Sequence, residues 1–143
     1  MHTIRTILKN KQSAEVWAVS PGDTVLEAIT RMAKLRIGAL LVMEGDRLVG
    51  IVSERDYARK IILQGRRSAE TLVSEIMTAE VATTTLDMTA QQCLEMMTKG
   101  FFRHLPVMED GRVIGLVSIG DLVKAVIADQ QAIIKELERY VTG

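Results

Sequence analysis

The sequence predicts an α+β fold in which two pseudo-symmetric β-α-β-β-α repeats pack sheet to sheet. The phrase GIVSERD at residues 50–56 returns as GLVSIGD at residues 115–121, and a shift of 65 positions aligns the flanking sequence without a gap. One repeat of this length buries too small a fraction of its surface to be comfortably stable alone. We therefore expect repeats at 1–65 and 66–130 to form one compact body, followed by a helical extension at 131–143.

The composition narrows the classes of partner. Lys and Arg together number 18, as do Asp and Glu, so the formal net charge is zero. A protein that binds nucleic acid or an acidic membrane needs a basic excess to offset phosphate charge. The sequence also has no apolar run of the roughly 18 residues that span a bilayer, and its start has no signal-peptide core. We expect a cytoplasmic protein that binds neither nucleic acid nor membrane.

The sequence has no recognisable catalytic or metal-binding pattern. Cys93 is the only cysteine, so we expect a small buried helix residue and no disulfide. The two histidines show no spacing typical of a nucleophile–base pair or a metal cluster, and we expect His2 to lie at a mobile terminus. The prediction is a protein without enzymatic activity, metal or catalytic cofactor.

The first half of each repeat predicts a short strand followed by a helix. VWAV at 16–19 is a strand stopped by the Pro-Gly pair that follows. Thr24 with Glu27, and Thr89 with Gln92, have the spacing of a capping box, in which side chains satisfy free N–H groups at a helix start. A helix is therefore expected after each threonine.

Apolar spacing predicts which residues these helices bury. The first copy has apolar residues at spacings of three and four, and the second copy has a matching set. These residues are Val25, Ile29 and Met32 in the first copy, and Cys93 or Leu94 with Met97 in the second. Gly100 is well placed to end the second helix.

The second half of each repeat predicts a β-hairpin and another helix. ALLVM at 39–43 is a continuous apolar run typical of a buried strand. Gly45-Asp46 and Asp110-Gly111 occupy the same offset and suit a tight primed turn. LVGIVS and VIGLVS are the return strands, and helices are expected to begin near Glu54 and near Gly120.

The repeated S-x-x-D pattern permits two interpretations. Ser118 can cap the helix while Asp121 reaches back in a capping box, and an acidic first turn also favours the helix dipole. Alternatively, the carboxylate can accept hydrogen bonds from two vicinal ribose hydroxyls, and a serine beside free N–H groups can bind phosphate. The two roles do not exclude each other.

Two G-h-h-S-x-x-D phrases (h, a hydrophobic residue), each closing a β-α-β-β-α unit, resemble the tandem CBS domain family, and the resemblance covers the entire chain. It implies a regulatory module that binds an adenosine-containing ligand such as AMP, ATP, NAD or S-adenosylmethionine. It also implies clefts assembled from both repeats, in which the motif Asp binds the ribose and basic residues meet the phosphates.

Carried over residue by residue, the resemblance implies a main cleft headed by Ser118 and Asp121. Arg103 and His104 stand at its phosphate position. The full set implied for this cleft is Asp121, Ser118, Ile119, Arg103, His104, Trp17, Ile37 and Ala39. The alternatives are a solvated Arg beside a partly buried His, and a core role for Trp17. If His104 binds phosphate, protonation would strengthen the contact and make affinity depend on pH.

The second cleft departs from the family pattern. Gly38 and Ala39 occupy the offset of Arg103 and His104, so the phosphate position is not basic. Arg36 or Arg55 would have to compensate from a different position. The set implied for this weaker cleft is Asp56, Ser53, Arg55, Thr78, Ala82 and Phe102. We expect the two clefts to differ in occupancy.

Two apolar stripes predict further packing. Residues 120–141 form one long helical pattern that extends past the repeat, and Ile4, Ile7 and Leu8 form a shorter stripe. The long stripe comprises Val126, Ile127, Ile133, Ile134, Leu137 and Tyr140. Each stripe could fold back on its own chain or contact a second chain, and the resemblance implies a homodimer with isologous contacts.

Two functions of different classes remain after this reasoning. The first is a sensor in which adenine-nucleotide binding changes packing that an unknown regulated protein detects in trans. The second is a ligand-free dimerisation scaffold. Retention of both motif Asp residues and of the Arg103-His104 pair favours the sensor.

Overall fold

The computed structural model describes residues 1–11 and 16–142. The chain divides into two compact units. The first-repeat unit is Val16–Ala82, and the second-repeat unit combines Met1–Glu15 with Thr83–Gly143. These bounds differ from the predicted repeats at 1–65 and 66–130. Residues 66–82 belong to the first-repeat unit, and Met1–Glu15 belongs to the second-repeat unit.

The first-repeat unit is built around a three-stranded sheet of order β1-β2-β3, with β1 parallel and β3 antiparallel to β2. Its elements are β1 (Ala18–Val19), α2 (Val25–Leu35), β2 (Ala39–Glu44), β3 (Arg47–Ser53), α3 (Glu54–Tyr57) with a π-helical continuation (Ala58–Ile62), a 3-10 turn (Ser68–Glu70) and α4 (Val73–Ile76).

The second-repeat unit reproduces this hairpin with the same register. Its elements are α1 (Ile4–Asn10), α5 (Ala90–Gly100), β4 (His104–Glu109), β5 (Arg112–Ser118) and α6 (Ile119–Thr142). His104 pairs with Ser118 as Ala39 pairs with Ser53, and both hairpins carry a bulge at the same offset. The α+β class and the predicted hairpins and helix starts are therefore confirmed.

The first strand is shorter in the second repeat, and proline explains why. In the first repeat the Leu41 N–H donates to the Trp17 carbonyl at 3.1 Å, which helps to pair β1 with β2. Pro106 occupies the position of Leu41 and has no N–H to donate. Thr84 consequently forms a single parallel bridge with Val107 where the first repeat has a strand.

The backbone angles of the two hairpin turns are those expected for the residues found there. Asp110 and Gly111 both have positive φ angles, as a type I′ turn requires. Gly45 alone has a positive φ in the first hairpin, which matches the glycine-first type II′ turn. Both turns connect the strands with the twist that a hairpin needs.

Both helices start at the predicted threonine caps, with the complete capping box seen at Thr89 and only the threonine half of it at Thr24, and α5 ends at Gly100 as predicted. Thr24 accepts from the Glu27 N–H, and Thr89 with Gln92 forms a complete capping box. The left-handed residue at this end is the next one, Phe101 (φ 57°), not Gly100. Gly100 has a different requirement, since a Cβ there would lie 2.1 Å from the Phe102 ring.

The buried residues match most of the predicted core. Cys93 and Met97 are buried in α5, and Cys93 Sγ lies 3.2 Å from the Thr84 hydroxyl. Burial raises the pKa of the Cys93 thiol. The residues of the first-repeat core are Val19, Val25, Ala28, Met32, Leu40, Val42, Val52, Ile61, Val73 and Ile76, with Trp17, Ile29 and Ile37 partly buried against them.

Each unit contains a docked segment that explains the glycine of the repeated phrase. A Cβ on Gly50 would lie 2.5 Å from Met77 Sδ and 3.0 Å from the Thr78 carbonyl oxygen. A Cβ on Gly115 would lie 2.8 Å from the end of the Leu8 side chain. These glycines let the residues that follow α4 approach β3 closely, and let Leu8 of α1 approach β5.

The two predicted apolar stripes have different outcomes. Ile4 and Ile7 are buried, so α1 folds back on its own chain. The stripe of α6 stays exposed, at Ile127, Ile133, Ile134, Leu137 and Tyr140. An exposed apolar surface of this kind is typical of an interaction site.

Candidate functional site

Asp121 lies in the first turn of α6 and forms a capping box with Ser118. The Ser118 N–H donates to Asp121 Oδ2 at 2.9 Å, and the Asp121 N–H donates to the Ser118 hydroxyl oxygen at 3.2 Å. These bonds satisfy N–H groups that have no partner within the helix. The capping interpretation of S-x-x-D is confirmed in this copy, and it fixes the carboxylate in place.

Lys11 is a third member of this site, and the sequence analysis missed it. Its ammonium lies 2.9 Å from Asp121 Oδ2 and donates to the Leu116 carbonyl at 2.8 Å. The Lys11 and Asp121 side chains are 29% and 23% exposed, so the ion pair is shielded from solvent. Lys11 follows the docked helix α1, and only this tertiary packing brings it to a motif 110 positions away.

The charge state of Asp121 follows from these contacts. Burial raises the pKa of its carboxyl, but the hydrogen bonds from the Ser118 N–H and from Lys11, together with the Lys11 charge, outweigh burial and lower the pKa below 3.8. Asp121 is therefore ionised at neutral pH. An ionised carboxylate has only acceptor atoms, as binding to hydroxyl donors requires.

His104 begins β4 opposite Ser118, where the Asp121 charge acts on its ring, and Arg103 directly precedes it. The Ile119 N–H donates to the Arg103 carbonyl at 2.9 Å, which ties the strand start to the helix start. His104 is partly buried, and Arg103 is exposed. We call Lys11, Arg103, His104, Ser118 and Asp121 the Asp121 cluster.

Burial is the main cause that lowers the pKa of His104 below its ordinary value of 6.5. The Asp121 charge acts in the opposite direction, and the Lys11 and Arg103 charges add to the lowering. His104 is therefore neutral at pH 7. The cluster then carries two cations, Lys11 and Arg103, and one anion, Asp121.

The other residues implied for the main cleft are distributed over both units. Ile119 is exposed beside Asp121 in the second-repeat unit. Trp17 and Ile37 are partly buried against the core of the first-repeat unit, and Ala39 is buried there. Their contribution to a ligand cleft stays a prediction.

The first repeat has the same capping box with a different lysine. The Ser53 N–H and hydroxyl both donate to Asp56 Oδ2, at 3.0 and 3.1 Å, and the Asp56 N–H donates back to the serine oxygen. Lys60, one turn later, places its ammonium 3.6 Å from Asp56 Oδ1 and donates to the Ile76 carbonyl at 2.8 Å.

The remaining residues implied for the second cleft lie in two units. Arg55 is exposed on α3 next to Asp56. Thr78 pairs with Ile51 through two backbone hydrogen bonds, and it and Ala82 belong to the first-repeat unit, whereas the resemblance assigned them to the second repeat. Phe102 lies in the second-repeat unit against Gly100.

Comparison with known proteins identifies the family. The model of the CBS domain matches residues 10–63 and 73–128. The chain belongs to the CBS domain family. CBS domain-containing protein CBSX3, mitochondrial, from Arabidopsis thaliana is 40% identical over 150 residues, which cover 99% of this chain and 72% of that protein.

Solved structures agree with this CBS assignment. A protein with CBS domains from Burkholderia ambifaria matches with a TM-score of 0.87 and 50% identity over 90% of this chain and 96% of its own. The CBS domain pair of protein MJ0100 matches with a TM-score of 0.77 and 26% identity over 90% of this chain and 98% of its own. That structure is a complex with 5′-methylthioadenosine and S-adenosyl-L-methionine.

These comparisons confirm the predicted CBS-domain pair. Within the part of the chain that the structure describes, none of the helices has both the length and the apolar character that crossing a membrane requires. The same residues contain no cluster of His, Cys, Asp and Glu that could hold a metal ion.

Proposed function

We propose that this CBS-domain protein is a regulatory module that binds an adenine nucleotide and acts in trans on another protein. The Asp121 cluster is the observation that carries the proposal. It places an ionised carboxylate, a helix start and the Lys11 ammonium together in one unit, and the charges of Lys11 and Arg103 both act on the neighbouring His104. The complex of the related MJ0100 domain pair with two adenosine-containing ligands supports the ligand class.

Each member of the cluster has a chemical role in this proposal. Asp121 accepts hydrogen bonds from the two vicinal hydroxyls of the ribose. Ser118 and the positive end of the α6 dipole favour a phosphate, since a helix start attracts anions. Arg103 adds a charge-assisted hydrogen bond to the phosphate, and His104 adds a second when it is protonated. AMP, ATP and NAD all carry these groups, and the protein takes no catalytic part.

A thermal-shift panel of AMP, ADP, ATP, NAD and S-adenosylmethionine tests the proposal. Ligand at about 100 times its Kd stabilises the folded protein by roughly 2.7 kcal/mol, which raises Tm by on the order of 5 to 10 °C. Asp121→Ala should lose this shift. Asp121→Asn is the matched variant, because its amide oxygen can still accept the cap bond while the charge is gone. A panel in which no ligand moves Tm overturns the proposal.

We further propose that the two clefts differ. The phosphate position of the Asp56 cleft carries Gly38 and Ala39, which offer no cation, whereas the Asp121 cleft has Arg103 and His104. Calorimetry with ATP should therefore find one tight site per chain. Two sites of equal affinity would contradict this assignment.

We also propose that the protein is a homodimer in the cytoplasm and that the apolar face of α6 forms the contact. Ile127, Ile134 and Leu137 are exposed at helical spacing, and burying each relative to water contributes roughly 1.5–3 kcal/mol. Light scattering at micromolar concentration should give twice the monomer mass. Leu137→Lys should yield the monomer, and a monomeric wild-type protein would refute the proposal.

A ligand-free scaffold is the second candidate function. The observation that favours it is that both motif carboxylates, Asp121 and Asp56, are engaged by a lysine of their own chain. A scaffold requires the α6 contact and no ligand. The nucleotide panel separates the candidates, because a dimer that responds to no nucleotide is the result expected of a scaffold alone.

A further inference from the structure

The Lys11 ammonium donates to Oδ2 of the carboxylate that the proposed function assigns to ribose, and a ribose whose two vicinal hydroxyls bind both carboxylate oxygens competes with it for that atom. We infer that Lys11 determines ligand specificity at the Asp121 site: a ribose must displace it, so the site selects ligands that also carry an anionic group. This inference rests on the proposed function. The observation that carries it is the pair of Lys11 contacts, 2.9 Å to Asp121 and 2.8 Å to Leu116.

Lys11 is held in place by packing that precedes any ligand. Helix α1 begins at a Thr3 cap and buries Ile4 and Ile7. The Lys11 N–H donates to the Leu8 carbonyl, so the residue still belongs to the end of the docked helix. A lysine positioned in this way loses less conformational entropy in forming the ion pair than a free surface lysine does.

Displacement of Lys11 has an unequal cost for neutral and anionic ligands. A neutral nucleoside supplies hydroxyls to Asp121 but leaves the partly shielded Lys11 ammonium without an anionic partner. Removing one partner of a shielded, hydrogen-bonded charge costs more than the net strength of the bond. A nucleotide brings its own negative charge to a cluster in which two cations then outnumber one anion. The phosphate therefore offsets the displacement.

The first repeat provides an internal comparison. Lys60 lies on the same helix as Asp56 and also donates to the Ile76 carbonyl. Its ammonium is 3.6 Å from Asp56, against 2.9 Å for Lys11 and Asp121, and its side chain is more exposed. A ribose should therefore displace Lys60 more easily than Lys11, so selection against neutral nucleosides should be stronger at Asp121.

The test compares adenosine with AMP by calorimetry on the wild-type protein, Lys11→Met and Lys11→Arg. Lys11→Met should bind adenosine about three- to tenfold more tightly, since no ion pair must be broken, and the preference for AMP over adenosine should shrink by the same factor. Lys11→Arg retains the charge and should therefore keep the wild-type preference for AMP over adenosine. Lys9→Met is the matched control, because Lys9 is exposed in the last turn of α1.

The outcomes distinguish this inference from the proposed function. An AMP-to-adenosine ratio that is the same in wild type and Lys11→Met, with AMP binding intact, overturns the role of Lys11 and leaves the proposed function standing. No binding of either ligand to any variant overturns both. If Lys11→Met fails to fold, Lys11→Gln, which is one atom shorter but removes the charge while keeping a hydrogen-bond donor, replaces it in the same comparison.

Discussion

The Nδ1 atom of His2 lies 2.6 Å from Oδ1 of Asp129, in the middle of helix α6. The His2 backbone N–H also donates to Asp129 Oδ2 at 2.9 Å, and the terminal amine lies 3.8 Å from Oδ1. The expectation of a mobile His2 is therefore wrong. This histidine has a structural role: it fastens the start of the chain to α6.

Asp129→Ala should release the start of the chain. The backbone N–H of His2 is the main cause that lowers the pKa of the Asp129 carboxyl below 3.8, so this carboxylate stabilises the folded state above that pH and stops doing so as pH falls through its folded pKa. Hydrogen exchange should show faster exchange in α1 of the variant at pH 7. The difference from wild type should disappear in acid. Asp87→Ala, which removes an exposed contact to Arg5, is the control.

Asp121→Ala should destabilise the protein by about 1–2 kcal/mol even without ligand, since it removes a cap. The pKa of Asp121 is lowered overall, so its contribution is present above 3.8 and is lost as pH falls through the folded value. Urea unfolding at pH 7 measures the loss, and Asp121→Asn should recover part of it. Equal stability of wild type and Asp121→Ala would show that the cap contributes nothing measurable.

The glycines of the repeated phrase should differ in their tolerance of alanine. A Cβ on Gly115 meets only the flexible end of Leu8, whereas one on Gly50 meets the backbone carbonyl of Thr78, which is bonded to Ile51. Gly50→Ala should therefore cost about 1–3 kcal/mol and Gly115→Ala less. Urea unfolding measures both. Gly22→Ala has open space around its Cβ and is the control, and a reversed order would refute the argument.

His104 should make nucleotide affinity depend on pH. Its pKa lies below 6.5 because it is buried, so the ring is neutral at pH 7 to 8 and becomes a cation only in acid. The ratio of AMP affinities of wild type and His104→Gln should be constant from pH 8 to 7 and rise as pH falls below 6.5. The phosphate of AMP also changes charge in this pH range. Its effect is the same for both proteins, so it cancels in the ratio of their affinities. A constant ratio down to pH 5.5 would exclude a phosphate contact by His104.

The same shift in pKa affects stability. The unfolded chain binds the His104 proton more readily than the folded protein, so His104 lowers stability as pH falls from 6.5 towards the folded pKa and adds no further change below it. The wild-type protein should lose more stability than His104→Gln between pH 7.5 and pH 5. Urea midpoints at the two pH values measure the difference, and parallel losses would contradict this assignment.

The features predicted well from sequence are those with local causes. The caps at Thr24 and Thr89 and the turns at Gly45 and Asp110 each depend on a few neighbouring residues, and all four form. The bulges and the left-handed Phe101 have no such local signal, since glycine is the usual residue at a positive φ. Helix α5 therefore ends at Gly100 as predicted, but its left-handed position falls on the next residue, Phe101.

The site was predicted where the repeat pattern or the family resemblance covers it, and Arg103 and His104 were found through the resemblance. Ser118 and Asp121 were found because Ser53 and Asp56 repeat them. Lys11 has no counterpart in the motif, and its role depends on which repeat the preceding helix packs against. Nothing in MHTIRTILKNK specifies that choice. A pairwise repeat reveals what its copies share, and the difference between the copies lies in the docked segments.

The discontinuous second-repeat unit makes the chain suitable for circular permutation. Thr142 ends α6 about 20 Å beyond Asp129, which holds Met1 and His2, so a polar linker of about eight residues could join the two ends. A chain opened between residues 15 and 16 would then encode each unit as one uninterrupted stretch. Such a permuted chain would allow either unit to be produced separately and its own free energy of unfolding to be measured.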